Sequence, residues 1–290
     1  MIEFSHIRKH WPAVKLITRM DKPIGTYLLL WPTFWALFVA AQGFPGWHLF
    51  IVFAVGVFVM RSAGCVINDI ADRKVDGQVK RTNQRPLVSG LMTTKQALIL
   101  FFGLISIALM LVFSLSWKSI YLSVVALALA ASYPFMKRFT HFPQVVLGAA
   151  FSWGMIMAFA EVQQQIPPIA WLLFFANLLW TIAYDTMYAM VDKDDDIRIG
   201  VKSTAIVFGR FDKVIIGFLQ LITIMLLVKV GQISQFNMFY YFGISIAAGL
   251  FFYQQDLIKD RERDKCFKAF LNNHYGLLIV LIAIIIQYYS

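Results

Sequence analysis

Apolar residues fall along this chain in long blocks separated by short polar breaks. Blocks of about 20 residues, enough for a helix to cross roughly 30 Å of hydrocarbon, recur near 23–42, 46–67, 96–114, 119–136, 144–161, 168–189, 213–230, 235–254 and 273–289. Each is expected to be a helix, because hydrocarbon gives backbone N–H and C=O groups no water to bond. The pattern predicts an all-α, polytopic membrane protein: nine transmembrane helices in a bundle around a central cavity, forming one domain over residues 1–290. Two connections, 68–95 and 190–213, stand out by length and charge and are expected as active-site loops. Ahead of the first block, Phe4, Ile7, Trp11 and Val14 recur at helical spacing, so residues 1–22 are expected to lie as an arm in the interface, with Pro12 as an interruption.

Composition agrees with this pattern. Of 290 residues, 59% are hydrophobic and only 14% charged, where a soluble domain carries about 25% charged residues. The net charge of +10 would suit nucleic acid, but the placement of the charges argues for a lipid surface instead. Of the 26 Lys and Arg, all but Lys118 and Lys229 fall in alternate segments: the N-terminal arm, 61–95, 137–138, 193–213 and 259–268. That asymmetry is the positive-inside signature, and it puts the N-terminus in the cytoplasm. Cys65 and Cys266 both map to the cytoplasmic half, where thiols stay reduced, so no disulfide is expected.

Acids are scarce and clustered. Half of the 16 Asp and Glu lie in two stretches, VINDIADRKVD and YDTMYAMVDKDDD, as Asp69, Asp72, Asp76, Asp185, Asp192, Asp194, Asp195 and Asp196. Asp72 and Asp76 correspond to Asp192 and Asp196 in a weak internal repeat, which predicts two acidic helix ends opposite each other across a bundle. At helical spacing Asn68, Asp72 and Asp76 share one face, and so do Tyr188, Asp192 and Asp196. Like charges one turn apart destabilise a helix unless a cation lies between them. Oxygen ligands in small number suit Mg²⁺ together with substrate phosphates. Nearby Lys80, Arg81, Arg85 and Lys202 then suit phosphate oxygens. Asp69, Asp194 and Asp195 read equally well as solvated caps, and Arg73, Lys74 and Lys193 as collar charges.

Arg61 and Asp185 lie deeper. Arg61 precedes Asn68 by seven residues and shares its face, about 10 Å further into the membrane. Asp185 precedes Asp192 in the same way. Ionisable groups at that depth face a cavity or one another, so the two residues either pair together or line the pocket of a polar substrate.

The first acidic stretch, NDIADRKVD, matches the NDxxDxxxD pattern of the UbiA superfamily of intramembrane aromatic prenyltransferases, and VDKDDD carries its DxxxD pattern. The whole chain resembles that superfamily. Longer strings, MDKPIGTYLLLWPT, GCVINDIADRKVDGQVKRTNQRPL and AYDTMYAMVDKDDDIRIGVKSTA, make it most similar to the branch whose acceptor is 4-hydroxybenzoate. The resemblance implies Mg²⁺ held by Asn68, Asp72, Asp76, Asp192 and Asp196, polyprenyl diphosphate and 4-hydroxybenzoate as substrates, and a place in ubiquinone biosynthesis at the cytoplasmic face of a bacterial inner membrane. For the acceptor's carboxylate, Arg61, Lys137 and Arg138 are candidates; Asp185 or Tyr188 is a candidate to orient the phenol. A sister enzyme with another aromatic acceptor would keep the same metal chemistry. An ion transporter is the alternative from another class, but transporters place coupling acids near the midplane, whereas these acids cluster at helix ends.

Overall fold

The blocks become helices. A computed structural model of the protein describes residues 4–73, 77 and 82–289, without the side chains of 4–10 and Lys137. Every regular element among the described residues is helical: α1 (Phe4–Ile17), α2 (Ile24–Ala41), α3 (Trp47–Asp72), α4 (Thr94–Val112), α5 (Trp117–Phe139), α6 (Pro143–Gln163), α7 (Pro168–Ile199), the short α8 (Thr204–Phe208), α9 (Asp212–Ile233), α10 (Met238–Ile258) and α11 (Arg263–Tyr289). Among the described residues, eight helices are long and apolar enough to cross a membrane. The eight include α9 together with the short α8 that leads into it. Helix α10, which coincides with the block expected at 235–254, has 21 residues but is not one of the eight. Its last turn carries Gln254, Gln255 and Asp256, which dilute its apolar content.

Several helices outrun the apolar blocks that announce them. Helix α3 continues to Asp72 and α7 to Ile199, so residues 68–72 and 190–199, expected in loops, are the last turns of helices. Helix α11 begins at Arg263, ten residues before the apolar block. Hydropathy marks only the part of a helix that lies in hydrocarbon; the ladder of backbone bonds continues into water as long as nothing stops it. What stops α7 is Gly200, which takes a left-handed conformation (φ 73°) and donates its N–H to the Asp196 carbonyl.

Consecutive helices pack as neighbours around the bundle, and α11 returns to α2 and α7. Small residues set the close approaches. A Cβ on Gly243 of α10 would meet Ala283 of α11, and one on Gly276 of α11 would meet the Trp180 ring of α7. Lipid tails are as apolar as leucine, so such close packing and hydrogen bonds between helices carry the association. Trp180 Nε1 donates to Asn273 Oδ1 at 2.8 Å, Trp35 Nε1 to the Leu277 carbonyl at 2.9 Å, and Gln220 Nε2 to Gln254 Oε1 at 2.9 Å. At one rim Glu161 of α6 accepts from Ser116 N, Ser116 Oγ and Ser119 Oγ, fastening α6 to the first turn of α5. Outward-facing Phe102, Met110, Tyr121, Phe218, Met225, Phe242 and Phe252 give the bundle an apolar exterior.

Two buried aspartates tie the polar ends together. Asp69, 1% exposed, accepts two bonds from Arg19 Nη2 at 2.8 and 3.0 Å and pairs with Arg85 at 3.1 Å, joining α3 to the turn before α2 and to the segment before α4. Asp212, fully buried, accepts from Arg261 at 2.7–3.2 Å and lies 3.8 Å from Lys193. Both arginines bend back in left-handed conformations, Arg19 at φ 58° and Arg261 at φ 56°. Asp212's hydrogen bonds raise the pKa of Arg261. Helix α1 rests on this region: Ala13 and Ile17 are buried with Val66, Ile70 and Ala97, while Trp11, expected on the apolar face, is half exposed.

Removing a buried carboxylate strands its basic partners, whereas an exposed pair is worth little. Asp69→Asn and Asp212→Asn should therefore each cost about 2 kcal/mol, read as a lowered thermal midpoint in detergent. Asp256→Asn, whose pair with Lys259 is exposed at both ends, should leave the midpoint nearly unchanged. Equal losses in all three would contradict this ranking.

Candidate active site

The ends of α3 and α7 border one cavity of about 820 Å³. Its polar end is lined by Asn68, Asp69 and Asp72 from α3 and by Asp185, Tyr188, Asp192 and Asp196 from α7. Arg19, Lys22, Arg85, Lys202 and Ser203 border the same space. Its remaining wall is apolar, made by residues such as Leu28, Val52, Ala108, Leu127, Leu147 and Met157 from α2 to α6. A charged head therefore has its place beside the helix ends, and an apolar chain has room along the bundle.

Helix geometry delivers the acids. Asn68 and Asp72 are one turn apart at the end of α3, and Tyr188, Asp192 and Asp196 occupy successive turns at the end of α7. Asp72 is 3% exposed, and Arg138 reaches it from the end of α5, with Nη2 at 3.9 Å from Asp72 Oδ1 and 2.8 Å from the Ala71 carbonyl. The donor set is entirely oxygen, which fits a hard divalent cation that takes few protein ligands and completes its shell from phosphate and water. Among the described residues, however, no three of His, Cys, Asp and Glu gather closely enough to hold a metal by themselves. Both acidic helix ends border the one cavity. Asp76, Lys80 and Arg81 lie outside the described residues, as does the side chain of Lys137.

Arg61 lines the cavity deeper along α3. It donates from Nη1 to Cys65 Sγ, and its Nε is buried with no hydrogen-bond partner. No ion pair joins Arg61 to Asp185 among the described residues, although Tyr133 and Tyr184 each lie within electrostatic reach of both. Asp185 and Tyr133 border the same space, and Tyr184 is buried beside them. Cys65 and Cys266 are free thiols.

Arg138, a candidate for the acceptor's carboxylate, is not among the described residues that line the cavity; from the end of α5 it donates to the Ala71 carbonyl. Arg85 lines the cavity but also holds Asp69, so its guanidinium serves the framework as well as the mouth. Residues that the spacing of the motifs did not single out join the site: Arg19, Tyr133, Tyr184 and Ser203. Arg19 reads in sequence as one of several collar charges. Its partner Asp69 lies 50 residues away, beyond the reach of any local pattern. Ser203 precedes α8 without capping it, and its Oγ is buried without a hydrogen-bond partner.

Proteins called 4-hydroxybenzoate octaprenyltransferase are 65% identical in Colwellia psychrerythraea, covering 98% of this chain and 99% of that one, and 54% identical in Providencia stuartii, covering 99% and 100%. The fold is shared with a UbiA homologue from Aeropyrum pernix K1 (TM-score 0.80, 23% identity, 90% of this chain and 97% of that one). It is shared too with a UbiA homologue from Archaeoglobus fulgidus bound to GPP and Mg²⁺ (TM-score 0.68, 16% identity, 94% and 99%). A model of the UbiA prenyltransferase family matches residues 29–281, and the chain belongs to that family.

Proposed function

We propose that this protein transfers a polyprenyl group from polyprenyl diphosphate to the ring carbon ortho to the hydroxyl of 4-hydroxybenzoate, releasing pyrophosphate, in ubiquinone biosynthesis. The observation that carries this reading is the single cavity with acidic helix ends and basic groups at one end and an apolar wall along the rest. Full-length relatives named for octaprenyl transfer to 4-hydroxybenzoate support the choice of acceptor.

Asn68, Asp72, Asp192 and Asp196, with Asp76 from the same motif, would hold Mg²⁺, as the Archaeoglobus homologue's bound Mg²⁺ supports. Bound there, Mg²⁺ supplies charge that offsets the departing pyrophosphate. Arg85, Lys202, Lys80 and Arg81 add cationic hydrogen-bond donors to the same oxygens. The allylic C–O bond breaks and its electron pair leaves with pyrophosphate. The apolar wall keeps water from the allylic carbon. The ring carbon of the acceptor then bonds to that carbon, and loss of the ring proton restores aromaticity. Arg61, which lines the cavity, receives the acceptor's carboxylate, while Asp185 or Tyr188 orients the phenol hydroxyl.

In the membrane, we read nine spans with α10 as the eighth, the N-terminus in the cytoplasm and the site at the cytoplasmic face of a bacterial inner membrane. The placement of Lys and Arg supports that orientation.

Membranes supplied with labelled 4-hydroxybenzoate, polyprenyl diphosphate and Mg²⁺ should form a prenylated product and release pyrophosphate; no labelled product would refute the assignment. Asp72→Ala and Asp192→Ala should each lower turnover by about 10²–10³-fold at normal membrane insertion, and near-normal turnover in either would remove the metal role. Arg61→Ala should raise the KM for 4-hydroxybenzoate about tenfold and leave that for the diphosphate unchanged.

A further inference from the structure

Position 25 is the second residue of α2, where alanine would serve a helix better than glycine. Gly25 has no positive φ, so no turn requires it. What requires it is the neighbour: a Cβ at position 25 would come closer than 3.0 Å to Nε, Nη2 and Cζ of Arg61. The planar guanidinium thus occupies the space that any other side chain at this position would fill. Gly25 and Arg61 both line the cavity, and Gly25 is buried.

From this contact we infer that Gly25 is a positioning residue: the bare backbone of α2 is the seat that sets the direction of the Arg61 guanidinium, and so the site of the acceptor's carboxylate. The inference rests on the reading that Arg61 binds that carboxylate. Three features restrict the arginine. Nη1 is held by Cys65 Sγ, one turn along the same helix. Nε and Nη2 face position 25, and Nε is buried with no other partner. A carboxylate accepts best from a guanidinium edge in one plane, so tilting that plane changes acceptor binding while the helix around it is unharmed.

The test is a pair of substitutions read by acceptor and donor KM in the full-length protein. Gly25→Ala should leave the thermal midpoint in detergent unchanged or higher, raise the KM for 4-hydroxybenzoate about tenfold, and leave the diphosphate KM within about twofold. In an Arg61→Ala background, where every atom that the new Cβ meets is gone, Gly25→Ala should change acceptor KM less than about twofold. Gly103→Ala on α4, where a Cβ meets nothing within 4 Å, serves as the control and should change neither KM. An acceptor KM unaffected by Gly25→Ala but raised by Arg61→Ala overturns the seat and leaves the role of Arg61 standing. Equal effects of Gly25→Ala with Arg61 intact and in the Arg61→Ala background also overturn it. An acceptor KM unaffected by Arg61→Ala removes the reading beneath both.

Discussion

Carboxylates gathered at the edge of a hydrocarbon layer repel one another and lose hydration, so an arrangement of this kind persists only where positive charge is supplied. This protein supplies it in two ways. Asp69 and Asp212 receive fixed cations, Arg19 with Arg85 in one case and Arg261 with Lys193 in the other. Those pairs fasten the helix ends. Asp72, which also meets Arg138, borders an open cavity together with Asp192 and Asp196. On the proposed function, further positive charge would arrive there with a metal-bound anionic substrate.

The bundle serves this arrangement. Helices α3 and α7 extend past their apolar blocks and carry the acids beyond the hydrocarbon, and Gly200 ends α7 shortly after Asp196. Small residues and hydrogen bonds between helices fix the frame, while the cavity among α2 to α7 is left unfilled. An unfilled apolar space inside a close-packed protein forgoes dispersion contacts. That loss is offset once a prenyl chain lies in it. The same frame places Arg61 against Gly25, so that part of the cavity is defined by two helices rather than one side chain.

The helices were readable in the sequence because lipid imposes one simple demand, about 20 apolar residues per span. Their ends were less readable. Polar turns such as 190–199 carry no hydropathy signal, although backbone bonding continues through them. Asp72, Asp192 and Asp196 were visible through helical spacing alone. Arg138 shows the limit of that approach: a basic residue near a motif looks the same whether it faces the cavity or caps a neighbouring helix, as this one does. Arg19 and Gly25 were hidden for another reason. One acts through a partner 50 residues away, and the other through the space it leaves to Arg61. Such roles exist only after folding.

Anomalous scattering from Mn²⁺, in a crystal grown with a non-hydrolysable prenyl diphosphate, tests most directly whether the two acidic helix ends act on one head group. The account predicts metal density in the cavity with ligands from both α3 and α7 and the diphosphate between them. Metal bound by one helix alone, or a diphosphate lying away from both, would contradict it.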